Sequence, residues 1–148
     1  MAGSKRPGSI IHALLLLVCL SVPRTGTAAP IWLLADDAEQ EITELSLDEA
    51  KALFLGRGAL PKTASGRLLA IDREDDELRA RFFWAVAQMP DWRVVSYFAE
   101  RTFSGRARPP LRLQEQEALQ ALRDKPRAVT YIEAESPPPG YRVLLRID

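Results

Sequence analysis

The chain has 148 residues, enough for one domain with a single hydrophobic core, and its 20 basic and 20 acidic residues balance formally. The only histidine and the only cysteine are His12 and Cys19, both near the start. The remainder of the chain therefore lacks the residues of Ser-His-Asp triads, cysteine nucleophiles, common zinc sites and disulfides. We expect no enzyme activity, no metal site and no cofactor.

Residues 1–28 have the pattern of a secretory signal. A basic start is followed by an apolar run over residues 10–20 and then by small residues that end at Ala28. The apolar run is too short to span a membrane. We predict cleavage after Ala28, export to the periplasm, no stable membrane span in the cleaved protein, and one domain over residues 29–148.

Removal of the signal changes the charge of the protein. Residues 1–28 contain three basic residues and no acidic one, which leaves 17 basic and 20 acidic residues and a net charge of −3. A mildly acidic domain is a poor general binder of nucleic acid, because affinity there comes from neutralising phosphates. Lipid attachment at Cys19 is a minor alternative, since the residue before it is not small.

The mature chain opens with a strand and a helix. Residues 31–35 form a continuous apolar run, which indicates a strand buried on both faces. Ser46 and Glu49 have the spacing of a capping box, and Gly56 is placed to end the helix that follows. The apolar positions that we expect to face the core from this helix are Leu47, Ala50, Leu53 and Phe54.

A second strand is predicted over residues 67–71, followed by the acidic run 72–77. Asp75 or Asp76 is the expected N-cap of the next helix. The residues expected on the buried face of that helix are Leu78, Phe82, Ala85, Val86 and Met89. Pro90 ends it.

Asp91 is the expected cap of a third helix, and residues 103–110 are predicted to form a loop. The apolar residues expected to be buried by that helix are Trp92, Val95 and Phe98. A fourth helix is predicted over residues 114–124 and a strand over 128–132. A proline-rich turn leads to a closing strand over 143–147, which we expect at an edge of the sheet.

Strands that alternate with helices predict an α/β domain with a central mixed, mostly parallel sheet flanked by helices. All three tryptophans, Trp32, Trp84 and Trp92, lie in apolar patterns, and we expect them in the core.

Several segments, read in order, resemble the phosphate-type periplasmic substrate-binding proteins, and most closely the short single-lobe relatives of that family. The resemblance covers nearly all of residues 31–147. Its segments are Leu45-Ser46-Leu47-Asp48-Glu49 leading to Phe54-Leu55-Gly56-Arg57, a strand ending at Asp72 before a helix start, a tryptophan-containing helix before Phe103-Ser104-Gly105, and Pro126-Arg127-Ala128-Val129-Thr130-Tyr131-Ile132. The resemblance implies one lobe of a type 2 periplasmic binding protein fold.

The resemblance also implies where a ligand would bind. In the family, backbone amides and a hydroxyl after the second strand hold an oxyanion at a helix N-terminus. In this chain, acidic residues 74–77 occupy that position and would repel a phosphate. One lobe also offers only half of a cleft, so that tight capture of an anion would need a partner or a dimer.

The candidate ligand-binding residues are Arg73, Asp75, Asp76, Arg79, Ser104, Gly105 and Arg106. The first four surround the helix start, and the last three form a turn that could contact an anion. Each group also has a structural interpretation: a capped, solvated first helical turn, and an ordinary surface loop. A calcium loop over residues 72–83 is not supported, because its sixth and twelfth positions lack the required Gly and Glu.

Two functions stay open. The first is an exported accessory or sensor domain that binds a small oxyanion or another solute. The second is a cell-envelope protein-interaction domain that kept the fold and lost the ligand. The acidic helix start motivates the second hypothesis.

Overall fold

The structure is a computed structural model that describes residues 1, 3, 28–38, 41–57, 62–63, 66–106 and 108–148. The predicted signal lies outside the described residues apart from Met1, Gly3 and Ala28, and so does Cys19. In chain order, the elements are β1 (Ile31–Asp36), α1 (Leu47–Leu55), β2 (Lys62–Thr63), β3 (Gly66–Arg67), β4 (Leu69–Arg73), α2 (Asp76–Ala87), α3 (Asp91–Phe103), β5 (Leu111–Leu113), α4 (Glu115–Asp124), β6 (Ala128–Glu133) and β7 (Tyr141–Ile147).

Within these residues, five strands form one mixed sheet in the order β5-β4-β6-β1-β7. β4 runs parallel to both of its neighbours, β5 and β6, whereas β1 runs antiparallel to β6 and β7. The short strands β2 and β3 pair with each other in a separate antiparallel ladder. The predicted α/β fold with a mixed sheet is confirmed, with two parallel and two antiparallel strand pairings instead of mostly parallel ones, and the closing strand, β7, lies at an edge as expected.

The sheet has an apolar core on each face, because successive side chains of a strand point to opposite sides. In β1, Leu33 belongs to the larger core and Leu34 to the smaller one. In β6, Tyr131 belongs to the larger core and Ile132 to the smaller one. The larger core is covered by α1, α2 and α3, and the smaller one by α4. The continuous apolar strands thus serve two cores at once.

Three aromatic rings form the centre of the larger core. The ring of Phe82 in α2 stacks on that of Tyr131 in β6, with 3.8 Å between the ring centroids. The ring of Phe54 in α1 meets both of them edge-on, at 4.7 and 5.5 Å. All three side chains are fully buried. This cluster therefore holds two helices against the sheet.

α1 begins and ends where the sequence predicts. The Ser46 hydroxyl accepts a hydrogen bond from the Glu49 amide at 3.3 Å, and the Glu49 carboxylate accepts one from the Ser46 amide at 2.8 Å. Gly56 closes the helix in the left-handed conformation, with φ of 60°. Leu47, in contrast, is 45 % exposed, so its predicted place in the core is wrong.

Two strand predictions differ from the structure. β4 covers Leu69–Arg73 instead of residues 67–71, because Gly66 and Arg67 turn back to pair with β2. β5 lies between the third and fourth helices, where no strand is predicted. Its three residues are too few to give a periodic signal, and it forms because it can pair with β4.

The third helix turns a different face to the core than predicted. Trp92 and Val95 are 69 % and 56 % exposed, whereas Val94 is buried. Trp84 in α2 is also more than half exposed, and Trp32 is half-buried. The expectation that the tryptophans are core residues is therefore wrong for Trp84 and Trp92. A helix with apolar residues on two faces does not reveal which face packs.

Replacement of Ser46 by alanine removes the hydroxyl from the capping box at the start of α1. We expect this change to lower the free energy of unfolding by about 1 kcal/mol in urea denaturation. Ser46→Thr keeps the hydroxyl and is the matched control, which should stay within a few tenths of a kcal/mol of the unmodified chain.

The same variant has a predicted pH dependence. Hydrogen bonds from the Ser46 amide and then from its hydroxyl lower the pKa of Glu49 below its ordinary value of 4.5. A lowered pKa adds stability that is present above the unfolded value and is lost as the pH falls through the folded one. The stability difference between Ser46→Ala and the unmodified chain should therefore shrink below about pH 4.5. A constant difference across that range would contradict this account.

Candidate functional site

The carboxyl end of β4 is the point where the chain switches between the two faces of the sheet. The helix that follows β4, α2, packs on the larger core, whereas the helix that follows β5, α4, packs on the smaller one. In sheets of parallel strands such a switch point opens a crevice at the carboxyl ends, where ligands bind. We call residues 72–76 and 112–115, which form this place, the carboxyl edge.

The side chain of Arg112 spans the carboxyl edge. It donates to the carbonyl oxygens of Arg73 and Glu74, at 3.0 and 3.1 Å, and forms an ion pair of 2.6 Å with Asp76. The hydrogen bond to Asp76 raises the pKa of Arg112. Gln114 in turn donates to the Glu74 carboxylate. The end of β5 is thus fastened to the start of α2 by the chain's own polar groups.

Asp72 and Arg73 point to opposite faces of the sheet, as neighbours in a strand do. Arg73 is buried on the side of α4, where its guanidinium donates to the carbonyl of Tyr131 at 3.1 Å and contacts the Glu115 carboxylate at 3.4 Å. Its Nε has no hydrogen-bond partner among the described residues. Half of the Glu115 side chain is exposed, so this ion pair is only partly shielded from water.

On the other face, the Asp72 carboxylate lies in the larger core and is 1 % exposed. It accepts hydrogen bonds from Arg79 Nε at 2.8 Å, from the Tyr131 hydroxyl at 2.5 Å and from the Arg73 amide at 2.8 Å. Arg79 also pairs with Asp91 at the start of α3. We call these side chains (Asp72, Arg79, Tyr131 and Asp91) the buried polar cluster. It connects β4, β6, α2 and α3.

Burial raises the pKa of the Tyr131 hydroxyl far above its ordinary value of 10, and the neighbouring Asp72 carboxylate raises it further. The hydroxyl is therefore neutral and acts as a hydrogen-bond donor. A phenol of this kind is a structural donor and not a proton carrier near neutral pH.

The structure brings four of the seven predicted ligand-binding residues to the carboxyl edge or next to it. These are Arg73, Asp75, Asp76 and Arg79. Asp75, one of the two caps that the sequence allows, is the N-cap of α2, and its carboxylate accepts from the amides of Glu77 and Leu78, both at 3.0 Å. The second and third amides of this helix are thus bonded within the chain.

The other three predicted residues lie at the C-terminus of α3. The Ser104 hydroxyl and the Arg106 amide both donate to the carbonyl of Arg101, at 3.2 and 2.9 Å, and Gly105 has a positive φ of 66°. This turn completes the end of a helix, where the dipole is negative and disfavours an anion. These bonds go to the last turn of α3 and not to the carboxyl edge.

Sequence reasoning missed four residues of this region as functional candidates: Asp72, Asp91, Arg112 and Tyr131. Asp72 gives the best signal, because it is an acidic residue that ends an apolar strand. Tyr131 gives none, since a tyrosine within an apolar run is an ordinary core residue. In the part of the chain that the structure describes, no group of three or more His, Cys, Asp or Glu residues could hold a metal ion. None of the described helices has the length and apolarity needed to cross a bilayer.

A cavity of about 550 Å³ lies elsewhere, between the C-terminal ends of α1 and α2 and the side of α3. Its lining includes Arg57, Arg93, Tyr97 and Glu100. The Tyr97 hydroxyl donates to the carbonyl of Leu55 at 2.8 Å and accepts from Arg57 Nε at 2.9 Å. These two bonds join α3 to α1, so this tyrosine acts in packing.

The Asp72→Asn substitution leaves the buried Arg79 guanidinium without its shielded counter-charge. We expect it to lower the free energy of unfolding by about 3–5 kcal/mol. Asp91→Asn breaks the second ion pair of the same arginine, but half of the Asp91 side chain is exposed. That matched variant should lose about 0–1 kcal/mol. If urea denaturation shows equal losses of unfolding free energy for the two variants, burial of the Asp72–Arg79 pair does not determine its contribution to stability.

Tyr131 should ionise only when the protein unfolds. Because its folded pKa is raised, its contribution to stability is complete below the unfolded value near 10 and is lost as the pH rises above it. A titration followed by phenolate absorbance should show one tyrosine that ionises together with the loss of folded structure. Tyr131→Phe, which keeps the ring stacked on Phe82, should lack that step. Ionisation of Tyr131 before the unmodified chain unfolds would contradict the burial argument.

Comparison with known proteins gives a likeness of fold. No family model matches the sequence, and no curated protein matches it. The structure is similar to a protein of Clostridium perfringens assigned as the substrate-binding protein of a phosphate ABC transporter and solved with bound phosphate. The identity is 13 %, the TM-score is 0.55, and the match covers 78 % of this chain and 45 % of that one.

A second similar structure is an ABC-type phosphate transport receptor from Vibrio cholerae, with 12 % identity, a TM-score of 0.47, and coverage of 78 % of this chain and 46 % of that one. This chain thus matches less than half the length of either protein. The likeness to the Clostridium protein confirms the predicted fold: this chain has the α/β architecture of about half of a phosphate-binding protein, which corresponds to one lobe.

Proposed function

We propose that this protein is an exported accessory domain of the cell envelope that has the fold of one binding-protein lobe and acts by contacting another protein. Export is inferred from the signal pattern of residues 1–28. The single observation that carries the proposed mode of action is the state of the carboxyl edge. Its charged side chains pair with one another instead of leaving a cradle for a ligand.

An oxyanion site at a helix N-terminus needs free amides and a positive potential. At the start of α2, the amides of Glu77 and Leu78 already donate to Asp75. At the start of α4, the Glu117 carboxylate accepts a hydrogen bond from the Gln114 amide at 3.3 Å. At both helix starts, carboxylates of the chain itself thus accept from backbone amides.

The match to the Clostridium protein covers only part of that protein. The Clostridium protein was solved with phosphate, and this chain matches 45 % of it. A single lobe exposes a bound ion on one side, so that tight capture would need a second surface. The mature part, residues 29–148, contains neither His nor Cys, and we assign it no catalytic role.

Binding of a small oxyanion is the second candidate function, and one observation favours it. The buried Arg73 keeps an Nε with no hydrogen-bond partner among the described residues, and its ion pair with Glu115 is long, at 3.4 Å. A guanidinium in that state could exchange Glu115 for a phosphate or sulfate. The two candidate functions differ in whether the unmodified chain binds such anions.

Isothermal titration with phosphate and with sulfate separates the candidates. We expect no binding by the unmodified chain with a dissociation constant below about 1 mM. The double variant Asp76→Asn/Glu115→Gln removes two carboxylates from the carboxyl edge and should bind phosphate more tightly than the unmodified chain. Glu135→Gln, an exposed acid away from the carboxyl edge, is the control and should not bind.

Submillimolar binding by the unmodified chain that is lost in Arg73→Gln would overturn the proposal and establish the second candidate. For the protein-contact role, the chain can be used to recover partners from envelope extract with and without phosphate. A specific partner whose recovery does not depend on phosphate is expected. Recovery that requires the anion would contradict the proposal.

A further inference from the structure

The outward face of α3 is apolar. Trp92 is 69 % exposed, Val95 56 % and Phe103 94 %, and Ala99 between them is exposed as well. At about 100° per residue, Trp92, Ala99 and Phe103 fall within an arc of about 40°, and Val95 widens it to about 80°. We call these four residues the α3 stripe. A contiguous apolar surface with two large aromatic residues is typical of a contact site.

The orientation of the α3 stripe is set by the opposite side of the helix. Val94 and Phe98 are buried in the larger core. The hydroxyl of Tyr97 donates to the carbonyl of Leu55 at 2.8 Å, and Asp91 pairs with Arg79. These contacts hold the helix along its length and leave the α3 stripe facing away from the domain.

One flank of the α3 stripe carries two charges of opposite sign. Arg93 and Glu100 are both exposed and lie about 20° apart around the helix. In the described part of the chain, neither side chain takes part in an ion pair. They are separated by seven residues, about 10 Å along the helix, which is too far for them to pair with each other.

This arrangement is complementary to itself. Consider a two-fold axis that is perpendicular to the helix and passes it at the level of Tyr97. The axis brings Val95 of one copy to the level of Ala99 of the other, and Trp92 to within about 1.5 Å of the level of Phe103. The same operation keeps each flank on its own side and places Arg93 of each copy at the level of Glu100 of the other, again within about 1.5 Å.

We propose that the α3 stripe is the contact surface of a homodimer, in which α3 of one copy packs antiparallel against α3 of the second. Two-fold symmetry makes every contact occur twice. The α3 stripes of the two copies therefore pack on each other, and two Arg93–Glu100 ion pairs form beside them. Charge complementarity selects a second copy as the occupant, because Arg93 and Glu100, which form no ion pair with the residues that the structure describes, lie where the copy presents its own anion and cation. The inference does not depend on the proposed function.

A contact made by one helix from each copy is smaller than a standard protein interface, and we expect a weak dimer with a dissociation constant of about 1–100 µM. Sedimentation equilibrium over that range of protein concentration gives the dissociation constant directly. The sample is the chain in the form that cells process and accumulate. Circular dichroism and the thermal unfolding midpoint, measured at a concentration well below the dissociation constant, show whether each variant still folds.

The decisive variants reverse the two charges. In Arg93→Glu, each new glutamate faces Glu100 of the other copy, and in Glu100→Arg, each new arginine faces Arg93. Either change should weaken the dimer about tenfold or more. The double variant Arg93→Glu/Glu100→Arg should restore it, and an equal mixture of the two single variants should form a heterodimer. Lys125→Glu, at the end of α4 on the opposite face of the sheet, is the control and should not change association.

Val95→Glu places a charge within the α3 stripe and should abolish association while the domain stays folded. A chain that remains monomeric up to about 500 µM overturns the proposal, because a contact that weak falls outside the range expected for a specific dimer. Association that none of the charge reversals changes also overturns it, because the two Arg93–Glu100 ion pairs then do not form across the contact.

Discussion

The carboxylate of Asp72 lies at the end of β4 inside the larger core, where it accepts hydrogen bonds from the Arg73 amide, the Arg79 guanidinium and the Tyr131 hydroxyl. A buried carboxylate without such partners would be several kcal/mol unfavourable. β4, β6 and α2 must therefore be in place together before this charge is satisfied, and Asp91 brings α3 into the same arrangement through Arg79. The positions of α2 and α3 on the larger core depend on this group of contacts.

The same contacts decide what the carboxyl edge can offer to a ligand. In an α/β sheet, the switch point after a parallel strand is a favourable place for an anion. Here the strand end supplies one charged side chain to each face, and each is met by groups from the chain itself: Asp72 by Arg79, and Arg73 by Glu115. At the start of α2, the acidic cap likewise bonds to amides of the chain itself. The charged groups that could hold a ligand at the carboxyl edge are the same groups that can stabilise the fold. In this protein they contribute to stability.

α3 connects the interior with the surface. Its inner side contributes Val94 and Phe98 to the larger core, and its first residue joins the buried polar cluster. Because those contacts fix the rotation of the helix, they also fix the direction in which Trp92 and Phe103 face. A rigid helix with an apolar outer side is a prepared contact surface, since little side-chain or backbone order has to be gained on association.

Local chemistry in the sequence determined the order of the four described helices and of β1, β4, β6 and β7, the capping box of Ser46 and Glu49, the helix end at Gly56, an acidic cap of α2 at Asp75 or Asp76, and, through the order of its motifs, the single-lobe fold. Each helix signal depends on residues within a few positions of one another, and the fold prediction depends on the order of such signals along the chain. Only the tertiary structure decided which side of α3 is buried, that three residues form β5, and that Tyr131 meets Asp72 across 59 positions. Such choices depend on which segments pack together, and a buried charge is satisfied by whichever partner the fold brings within reach.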